Sequence, residues 1–325
     1  MIRIKNLLTA LLVMAAALLG APAVAADYPS RPIKIIVPYA AGGTIDVMAR
    51  TLAPKLGTAL GQPVVVENRP GGGTMIGADA VARADADGYT LFLGSNAAFT
   101  ISPQIMPKMN YDPLHSFAAI GTLAAFPNLI VVKPDSPYKN LAEIVDAARK
   151  DPGKLSYASF GVGSTAQLSG EAIKVMAGVD IIEVPYKSGA QCVQAVLASE
   201  VTFGFDTAVG SVQRVKAGQL RALAATSGTR LSDLPQVPSI TEAGYPTAEV
   251  IAWVGMFAPA ATPAPVQKTL ATALQKLMND PEVKRQYASL GVQANYTDGE
   301  ATMRMMRSEY VRFGVLVEKA KIKAQ

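Results

Sequence analysis

Short apolar runs alternate with stretches in which apolar residues recur at helical spacing, from residue 33 to near the end of the chain. Residues 33–38 predict a strand, and apolar residues between 45 and 60 follow the i, i+3, i+4, i+7 spacing of one helix face. This alternation is typical of repeated βα units. Further strands are predicted at 64–67, 89–93, 155–160, 181–186, 201–206 and 220–226. Further helices are predicted from a glycine-rich turn at 71–77 through residue 83, at 141–150, 164–177, 190–199, 209–217, 264–278 and 281–290, and from about 299.

A longer apolar run spans residues 120–132 and contains Pro127. We interpret it as a strand that crosses from one lobe to another, because the βα alternation stops before it and resumes after it. A turn-rich loop at 227–246 leads into another apolar run at 250–258. The chain is therefore expected to form two α/β lobes, with a ligand site between them outside the carboxyl ends of the strands.

The composition indicates a globular protein with little reactive chemistry. Of its 325 residues, 50% are hydrophobic and 17% are charged, and this length suggests about two domains. Cys192 and His115 are the only cysteine and histidine, which excludes an internal disulfide and a Cys/His zinc cluster. Catalysis of the Ser-His-Asp or Cys-His type would depend on His115 alone. We therefore expect no enzyme activity, no metal and no cofactor.

The first 26 residues have the three regions of a secretory signal peptide. Arg3 and Lys5 are basic, residues 7–19 are apolar apart from Thr9, and small residues surround Ala25. Cleavage is expected after Ala25 or Ala26. An uncleaved membrane anchor is the alternative, since residues 7–26 just reach the roughly 20 residues that span a bilayer.

The net charge and the distribution of basic residues do not indicate nucleic-acid binding. Residues 1–26 carry two basic residues and no acidic ones, so their removal lowers the formal net charge from +5 to +3. Basic residues are scattered and aromatic residues make up 6% of the chain, whereas nucleic-acid surfaces cluster basic residues with aromatic ones. We expect no nucleic-acid partner.

Two glycine-containing loops each lie between a predicted strand and a predicted helix. They are Tyr39-Ala40-Ala41-Gly42-Gly43-Thr44 and Phe160-Gly161-Val162-Gly163-Ser164. Glycine lets the backbone approach a ligand closely, and free N–H groups in the first turn of a helix attract anions. A tight turn explains either loop alone, and Ser164 with Gln167 fits a capping box. Two such loops facing each other across a cleft predict an anion site.

Asp206 ends the predicted strand 201–206 and would place a carboxylate at the mouth of the cleft. There it would bind a hydroxyl, an amide or a protonated group, because it would repel a ligand carboxylate beside it. The alternative is that Asp206 caps the helix that begins near Val209.

Three other motifs are interpreted as chance matches or as turns. Residues 161–166 fit the dinucleotide fingerprint G-x-G-x-x-A, but Asp180 and Glu183 are misplaced for a ribose contact. Ser136 and Lys139 fit the S-x-x-K motif of penicillin-binding enzymes but lie in a predicted loop. The glycines at 71–73 lack the rest of a nucleotide-triphosphate loop and indicate a flexible turn.

Several segments, in order through nearly the whole chain, resemble the Bug family of periplasmic solute-binding proteins of tripartite tricarboxylate transporters. The matching segments are Tyr28-Pro29-Ser30-Arg31-Pro32-Ile33, Val37-Pro38-Tyr39-Ala40-Ala41-Gly42-Gly43-Thr44-Ile45-Asp46 with Ala49-Arg50, Val66-Glu67-Asn68-Arg69-Pro70-Gly71, Asp87-Gly88-Tyr89-Thr90-Leu91, Gly163-Ser164-Thr165 with Gly170-Glu171, Val184-Pro185-Tyr186-Lys187, and Phe257-Ala258-Pro259. Each segment is weak alone, and together they are specific.

The resemblance implies the type II periplasmic binding protein fold, in which each of two lobes is a mainly parallel sheet flanked by helices and the ligand lies between the lobes. The implied division is a signal peptide at 1–26, lobe 1 at 27–124 plus 229–325, and lobe 2 at 125–228. The expected ligand-binding residues are Tyr39, Ala41, Gly42, Gly43, Thr44, Asp46, Ser95, Asn96, Ser164, Thr165, Gln167, Tyr186 and Asp206.

The resemblance also implies a function. The protein would be a periplasmic monomer that binds a small organic acid and delivers it to the large and small membrane subunits of a tripartite tricarboxylate permease. A periplasmic sensor subunit for a two-component system is the alternative, and a hydrolase is disfavoured because no second candidate base is present. Gln167, where many relatives have histidine, and the segment 187–191 depart from the family pattern, which leaves the identity of the ligand open.

Overall fold

The computed structural model describes residues 28–106, 108–290 and 292–323. The predicted signal peptide and its cleavage site lie outside these residues. The described strands are β1 (Ile33–Val37), β2 (Val64–Asn68), β3 (Thr90–Ser95), β4 (Phe117–Val132), β5 (Ser156–Ser159), β6 (Ile182–Pro185), β7 (Phe203–Thr207), β8 (Arg221–Ala225), β9 (Ile251–Pro259) and β10 (Ala294–Asp298). The described helices are α1 (Thr44–Leu60), α2 (Met75–Ala82), α3 (Ser102–Ile105), α4 (Leu141–Lys150), α5 (Thr165–Ala177), α6 (Gly189–Leu197), α7 (Ala208–Lys216), α8 (Ala264–Asn279), α9 (Pro281–Ser289) and α10 (Gly299–Ala320).

In helix α1 the local sequence explains both which face is buried and where the helix ends. Met48, Leu52 and Leu56 lie on one face and are fully buried, as the helical spacing predicts. The helix ends at Gly61, whose φ of 72° is left-handed and therefore terminates it at little steric cost.

The long strand β4 belongs to two sheets. Over residues 117–127 it pairs with β9, and over 128–132 it pairs with β7 and β8. The first sheet has the order β2-β1-β3-β9-β4-β10, and the second has the order β8-β4-β7-β5-β6. The change of partner falls between Pro127 and Asn128, which confirms the prediction of a strand that crosses between lobes.

Both sheets are mixed. Strands β1, β2 and β3 are parallel, as are β5, β6 and β7. Strand β9 is antiparallel to β3, and β4 is antiparallel to each of its partners. The expected mainly parallel pairing therefore holds only for the strands that long crossovers connect, since parallel strands need such crossovers.

Helices cover both faces of each sheet. The first sheet packs against α1, α8 and α9 on one face and against α2 on the other. The second sheet packs against α4 and α5 on one face and against α6 and α7 on the other. Helix α10 joins the two, because Met306 packs in the core of the first sheet and Phe313 in that of the second.

The segment after β8 packs with the second sheet. Leu234 and Val237 join the cluster that contains Val131, and Ile240 and Val250 join the cluster that contains Phe203. The division of the chain at 124/125 and 228/229 stays a prediction.

The predicted strands and helices form with ends that shift by a few residues, and α4 has the predicted bounds. Three elements were not predicted: β10, a 3₁₀ turn at Pro246–Ala248, and the buried segment in which a π-helical turn at Ala97–Ile101 precedes α3. None of the helices in the described part of the chain has the length and apolarity needed to cross a membrane.

Candidate functional site

A cavity of about 330 Å³ lies between the two sheets, and we call it the inner cavity. It is lined at the carboxyl ends of parallel strands, by Tyr39 after β1, Ser95 in β3, Phe160 after β5 and Thr207 in β7. Its lining residues are Tyr39, Ile45, Gly73, Thr74, Ser95, Asn96, Ala97, Ile101, Ser102, Phe126, Asn128, Phe160, Val162, Gly163, Ser164, Thr165, Thr207, Ala252, Trp253 and Val254. The cleft therefore lies where the strand topology predicts a ligand site.

A second cavity of about 840 Å³ continues from the first, and we call it the outer cavity. The two share Tyr39, Ile45, Phe126, Phe160 and Thr207. The charged side chains of the cleft are found in this outer part, at Lys187, Asp206 and Arg214. The cleft thus has a neutral interior and a charged mouth.

The side chain of Asp46 holds the first loop in place. Its carboxylate is almost fully buried and accepts bonds from the N–H of Gly42 at 2.8 Å, from Nε of Arg50 at 3.0 Å and from Nδ2 of Asn68 at 2.8 Å. Burial alone would raise the pKa of Asp46, but these bonds outweigh it and lower the pKa. Asp46 lines neither cavity, so its geometry is that of a clamp on the loop.

The other residues of the first loop divide between the cavities and the surface. Gly43 is the N-cap of α1 and, with Thr44, lines the outer cavity. Ala41 and Gly42 are exposed and line neither cavity. Gly42 has a φ of 84°, which is the conformation that requires glycine in this turn.

Tyr39 and Ser95 form a hydroxyl pair in the inner cavity. The two oxygens lie 2.6 Å apart, and Ser95 Oγ also accepts from the N–H of Ala97 at 3.2 Å. Burial raises the pKa of Tyr39 despite the bond to Ser95, so the phenol stays neutral. Asn96 beside them donates to the carbonyl of Ile251 at 3.1 Å, which fixes its side chain.

The second loop forms the capping box predicted at Ser164 and Gln167, with one change of hydrogen-bond partner. Ser164 is the N-cap of α5 and its Oγ accepts from the N–H of Gln167 at 3.1 Å. The side chain of Gln167 accepts from the N–H of Gly163 at 2.9 Å and donates to Glu183 at 2.9 Å. Ser164 and Thr165 line the inner cavity, whereas Gln167 is buried behind the loop and lines neither cavity.

Two lining residues that the sequence did not single out carry polar atoms with no hydrogen-bond partner among the described residues. They are Asn128 Oδ1 and Thr74 Oγ1, both buried. Asn128 donates from Nδ2 to Thr165 Oγ1 at 3.0 Å. A buried polar atom without a partner is costly unless something else satisfies it. These two atoms mark the inner cavity as a place where a ligand would complete the hydrogen bonding.

Thr74 is also strained. It is the N-cap of α2 with a φ of 81° and makes no side-chain cap bond, and left-handed backbone is unfavourable for a β-branched residue. It follows the glycines at 71–73, so the expected flexible turn is in fact an ordered 3₁₀ turn at Gly72–Thr74 that borders the cavity. The available signal was that Thr74 follows glycines before a helix, as Thr44 does.

Asp206 lines the outer cavity, and its carboxylate accepts hydrogen bonds from neighbouring residues. It accepts from the N–H of Thr207 at 2.8 Å and from Ser211 Oγ at 2.5 Å. Burial raises its pKa, against the bonds from Ser211 and Thr207 and the charge of Arg214. The alternative interpretation of Asp206 as the helix cap is wrong, because Thr207 is the N-cap of α7 and accepts from the N–H of Gly210.

The remaining reactive groups lie outside the inner cavity. Tyr186 lines neither cavity and donates to Glu200 at 3.1 Å, and Glu183 is bonded to Ser159 and Gln167. His115 is exposed beside Asp112. Burial raises the pKa of the Cys192 thiol to about 12. No group of acidic, histidine or cysteine side chains in the described residues could hold a metal ion.

Residues 48–322 match the family described as the tripartite tricarboxylate transporter family receptor. The chain belongs to this receptor family. It is 33% identical over 313 residues to the protein BugT of Bordetella pertussis, covering 95% of this chain and 96% of that protein. The receptor is also similar to a solved structure of the periplasmic binding protein BugD, with 34% identity, a TM-score of 0.75 and coverage of 92% and 100% of the two chains. A structure of R. palustris Rpa4515 with adipate is 31% identical, with a TM-score of 0.78 and coverage of 91% and 99%.

These likenesses confirm the resemblance to the Bug family and the two-lobed α/β fold with a cleft between the lobes. The family and the solved neighbours are solute-binding receptors and not enzymes. The chain is therefore a solute-binding receptor.

Proposed function

We propose that this receptor captures a small organic acid in the inner cavity and delivers it to the membrane subunits of a tripartite tricarboxylate permease. The observation that carries the proposal is that the N-cap residues of three helices line one cavity: Thr74 of α2, Ser164 of α5 and Thr207 of α7. The first turns of α5 and α7 present backbone N–H groups and partial positive charge, which favours an anion. In α2 the N–H groups of Met75 and Ile76 bond to the carbonyls of Gly72 and Gly71 instead, so α2 contributes the Thr74 hydroxyl.

The neutral lining supports a carboxylate held without an ion pair. Hydroxyl groups of Tyr39, Ser95 and Thr165 add donors beside the helix ends. Hydrogen bonds from neutral donors satisfy a carboxylate while leaving no counter-charge behind when the ligand departs. This suits a receptor that must release its ligand.

Of the residues expected from the sequence to bind ligand, we propose Tyr39, Ser95, Asn96, Ser164 and Thr165 in the inner cavity, with Gly43, Thr44 and Asp206 at its mouth. Asp46 and Gln167 are proposed as positioning residues, because each holds a loop N–H with a buried side chain. Ala41, Gly42 and Tyr186 line neither cavity, so we propose that they reach the ligand only after the lobes move.

We propose lobe 1 and lobe 2 as the units that move. Because residues 234–250 pack with the second sheet, we place the second boundary near residue 250 rather than at 228/229. Closure of the lobes would remove the ligand from water, and opening at the permease would release it.

A thermal-shift titration of the mature chain against mono-, di- and tricarboxylates tests the binding proposal. A ligand at 100 times its dissociation constant stabilises by about 2.7 kcal/mol, so a clear rise in melting temperature is expected for an organic acid. Response to a neutral sugar or a cation, with no response to any acid, would contradict the proposal.

A matched pair of cap variants separates binding from stability. Ser164→Ala removes a cap that lines the cavity, and Asn140→Ala removes the cap of α4 outside both cavities. Each is expected to cost about 1 kcal/mol of stability. Only Ser164→Ala should weaken binding of the acid.

Export, partners and oligomeric state have separate tests. Mass spectrometry of the exported protein should give an N-terminus at residue 26 or 27, and light scattering should give a monomer. Loss of the permease genes should abolish uptake of the acid while binding persists. Loss of a transcriptional response, with uptake unchanged, would favour the sensor alternative instead.

A further inference from the structure

The walls of the inner cavity carry no charged side chain among the described residues. Its polar lining consists of hydroxyl and amide groups, and the rest is glycine or apolar, including the half-buried rings of Phe126 and Phe160. Of the two cavities of the cleft, the outer one is lined by lysine and arginine among the described residues, at Lys187 and Arg214, together with Asp206. The described lining therefore suits a ligand that carries few charges and much apolar surface.

We propose that the inner cavity selects a monocarboxylate with an apolar body. This inference rests on the proposed function and specifies the class of acid. Thr74 from the first lobe and Asn128 from the crossing strand contact the polar end of the ligand, since each has a buried oxygen without a partner among the described residues. The apolar body lies against the aromatic walls.

The positive potential in the cavity is enough for one carboxylate. Each free helix N-terminus acts as about half a positive charge, and the N-termini of α5 and α7, whose N-caps line the cavity, together supply about one. A second carboxylate in the same space would be buried without a cationic partner, which is unfavourable. Tricarboxylates are therefore expected to be rejected.

The hydrogen-bonding groups suit this ligand because they can adapt. The hydroxyl of Thr165 can accept from Asn128 or donate to it, so the Asn128 amide can turn either its oxygen or its NH₂ toward a ligand. The hydroxyl of Thr74 can likewise donate or accept. The pair can thus bind a carboxylate oxygen together with a neighbouring hydroxyl or keto group.

The size of the cavity sets a limit on the acid. At about 330 Å³ the inner cavity lies at the small end of the roughly 300–1,000 Å³ that ligand pockets span, which favours a small acid. An elongated dicarboxylate could place its second carboxylate in the outer cavity near Lys187 and Arg214. Tight binding of such a dicarboxylate would contradict the proposal, so the experiment includes dicarboxylates.

The test compares acids that differ by one carboxylate. Hexanoate is matched with adipate, and benzoate with terephthalate, and binding to the mature chain is measured by calorimetry at low and high salt. The monocarboxylate of at least one pair should bind tenfold or more tightly than its partner, with little dependence on salt. Equal or tighter binding of the dicarboxylates overturns the proposal. If no acid in a wide panel binds, the proposed function itself fails, which is a different result.

Variants test the assignment of the contacts. Thr74→Val removes the hydroxyl and keeps the shape, and it should weaken binding of the monocarboxylate at least fivefold. Thr262→Val is the matched control, because Thr262 Oγ1 is also buried without a partner among the described residues but lies outside both cavities. The control should bind normally. Unchanged affinity in Thr74→Val would overturn the contact with Thr74, and circular dichroism of both variants would show that they are folded.

Discussion

Asn128 donates from its side-chain amide to the hydroxyl of Thr165 at 3.0 Å, and both residues are buried in the wall of the inner cavity. The bond joins β4, which runs through both sheets, to the first turn of α5. The backbone N–H of Asn128 donates to Thr226 Oγ1 at 2.9 Å as well. The position of Asn128 is therefore fixed by both its backbone and its side chain.

Replacement of Asn128 with alanine leaves the hydroxyl of Thr165 without this partner. We expect a loss of about 1–3 kcal/mol in the free energy of unfolding and weaker binding of the acid. Urea unfolding and calorimetry measure the two effects. The Asn128→Ala and Thr165→Val losses should be less than additive in the double variant, because the two residues share one bond. Additive losses would contradict the coupling.

Thr74→Gly should have opposite effects on stability and binding. Glycine adopts left-handed backbone without the steric cost of roughly 1–2 kcal/mol that other residues bear. Its greater freedom in the unfolded chain offsets part of this gain, so we expect an increase in unfolding free energy of up to about 1 kcal/mol. Affinity for the acid should fall because the hydroxyl is lost. A less stable Thr74→Gly variant would show that the backbone at this position is not strained.

Asp46→Asn should destabilise the receptor in a pH-dependent way. The pKa of Asp46 is lowered in the folded state, so its stabilising effect is complete above its unfolded value of about 3.9 and is lost as the pH falls through the folded value. At pH 7 we expect the variant to be less stable by about 1–3 kcal/mol. The difference from the parent chain should shrink below about pH 4.

Urea unfolding between pH 7 and pH 3 measures this trend. Asp135→Asn, which removes an exposed carboxylate, is the control and should change the stability by no more than about 0.5 kcal/mol. A gap between Asp46→Asn and the parent chain that stays constant with pH would contradict the role of the charge.

Gly189→Ala should create a clash that depends on Asp206. A Cβ atom at Gly189 would overlap Asp206 Oδ1, and we expect a cost of about 1–3 kcal/mol. In an Asp206→Ala background the oxygen is gone, so most of that cost should disappear from thermal or urea unfolding. Gly43→Ala is the control, because its Cβ would meet only Ala40 O at 3.5 Å. If Gly189→Ala costs the same in both backgrounds, Asp206 does not cause the clash.

The strands and helices could be predicted because their patterns are local. Spacing along α1 and the cap at Ser164 each depend on residues a few positions apart. By contrast, β10 is only half-buried and is defined by its pairing with β4. The π-helical turn around Phe99 is buried on all sides, so it shows no alternation of apolar and polar positions that would identify it.

The candidate site could be predicted in part for the same reason. Tyr39, Ser95 and Ser164 follow or end strands, and the topology brings the ends of parallel strands together. The sequence could not separate Asp46, which clamps a loop, from a residue that lines the cavity, because both are polar residues near a glycine turn. Asn128 reaches the cavity only because β4 changes partners there, and this depends on pairing with distant strands.

Under the proposed function, the change of partner along β4 places recognition and movement in the same residues. Phe126 and Asn128 flank the point where one strand leaves the first sheet and enters the second, and both line the inner cavity. Any rotation of one sheet against the other must twist the backbone between them. A substitution there that suits a new solute would therefore also alter how readily the cleft shuts, so affinity and closure would change together in the evolution of this receptor.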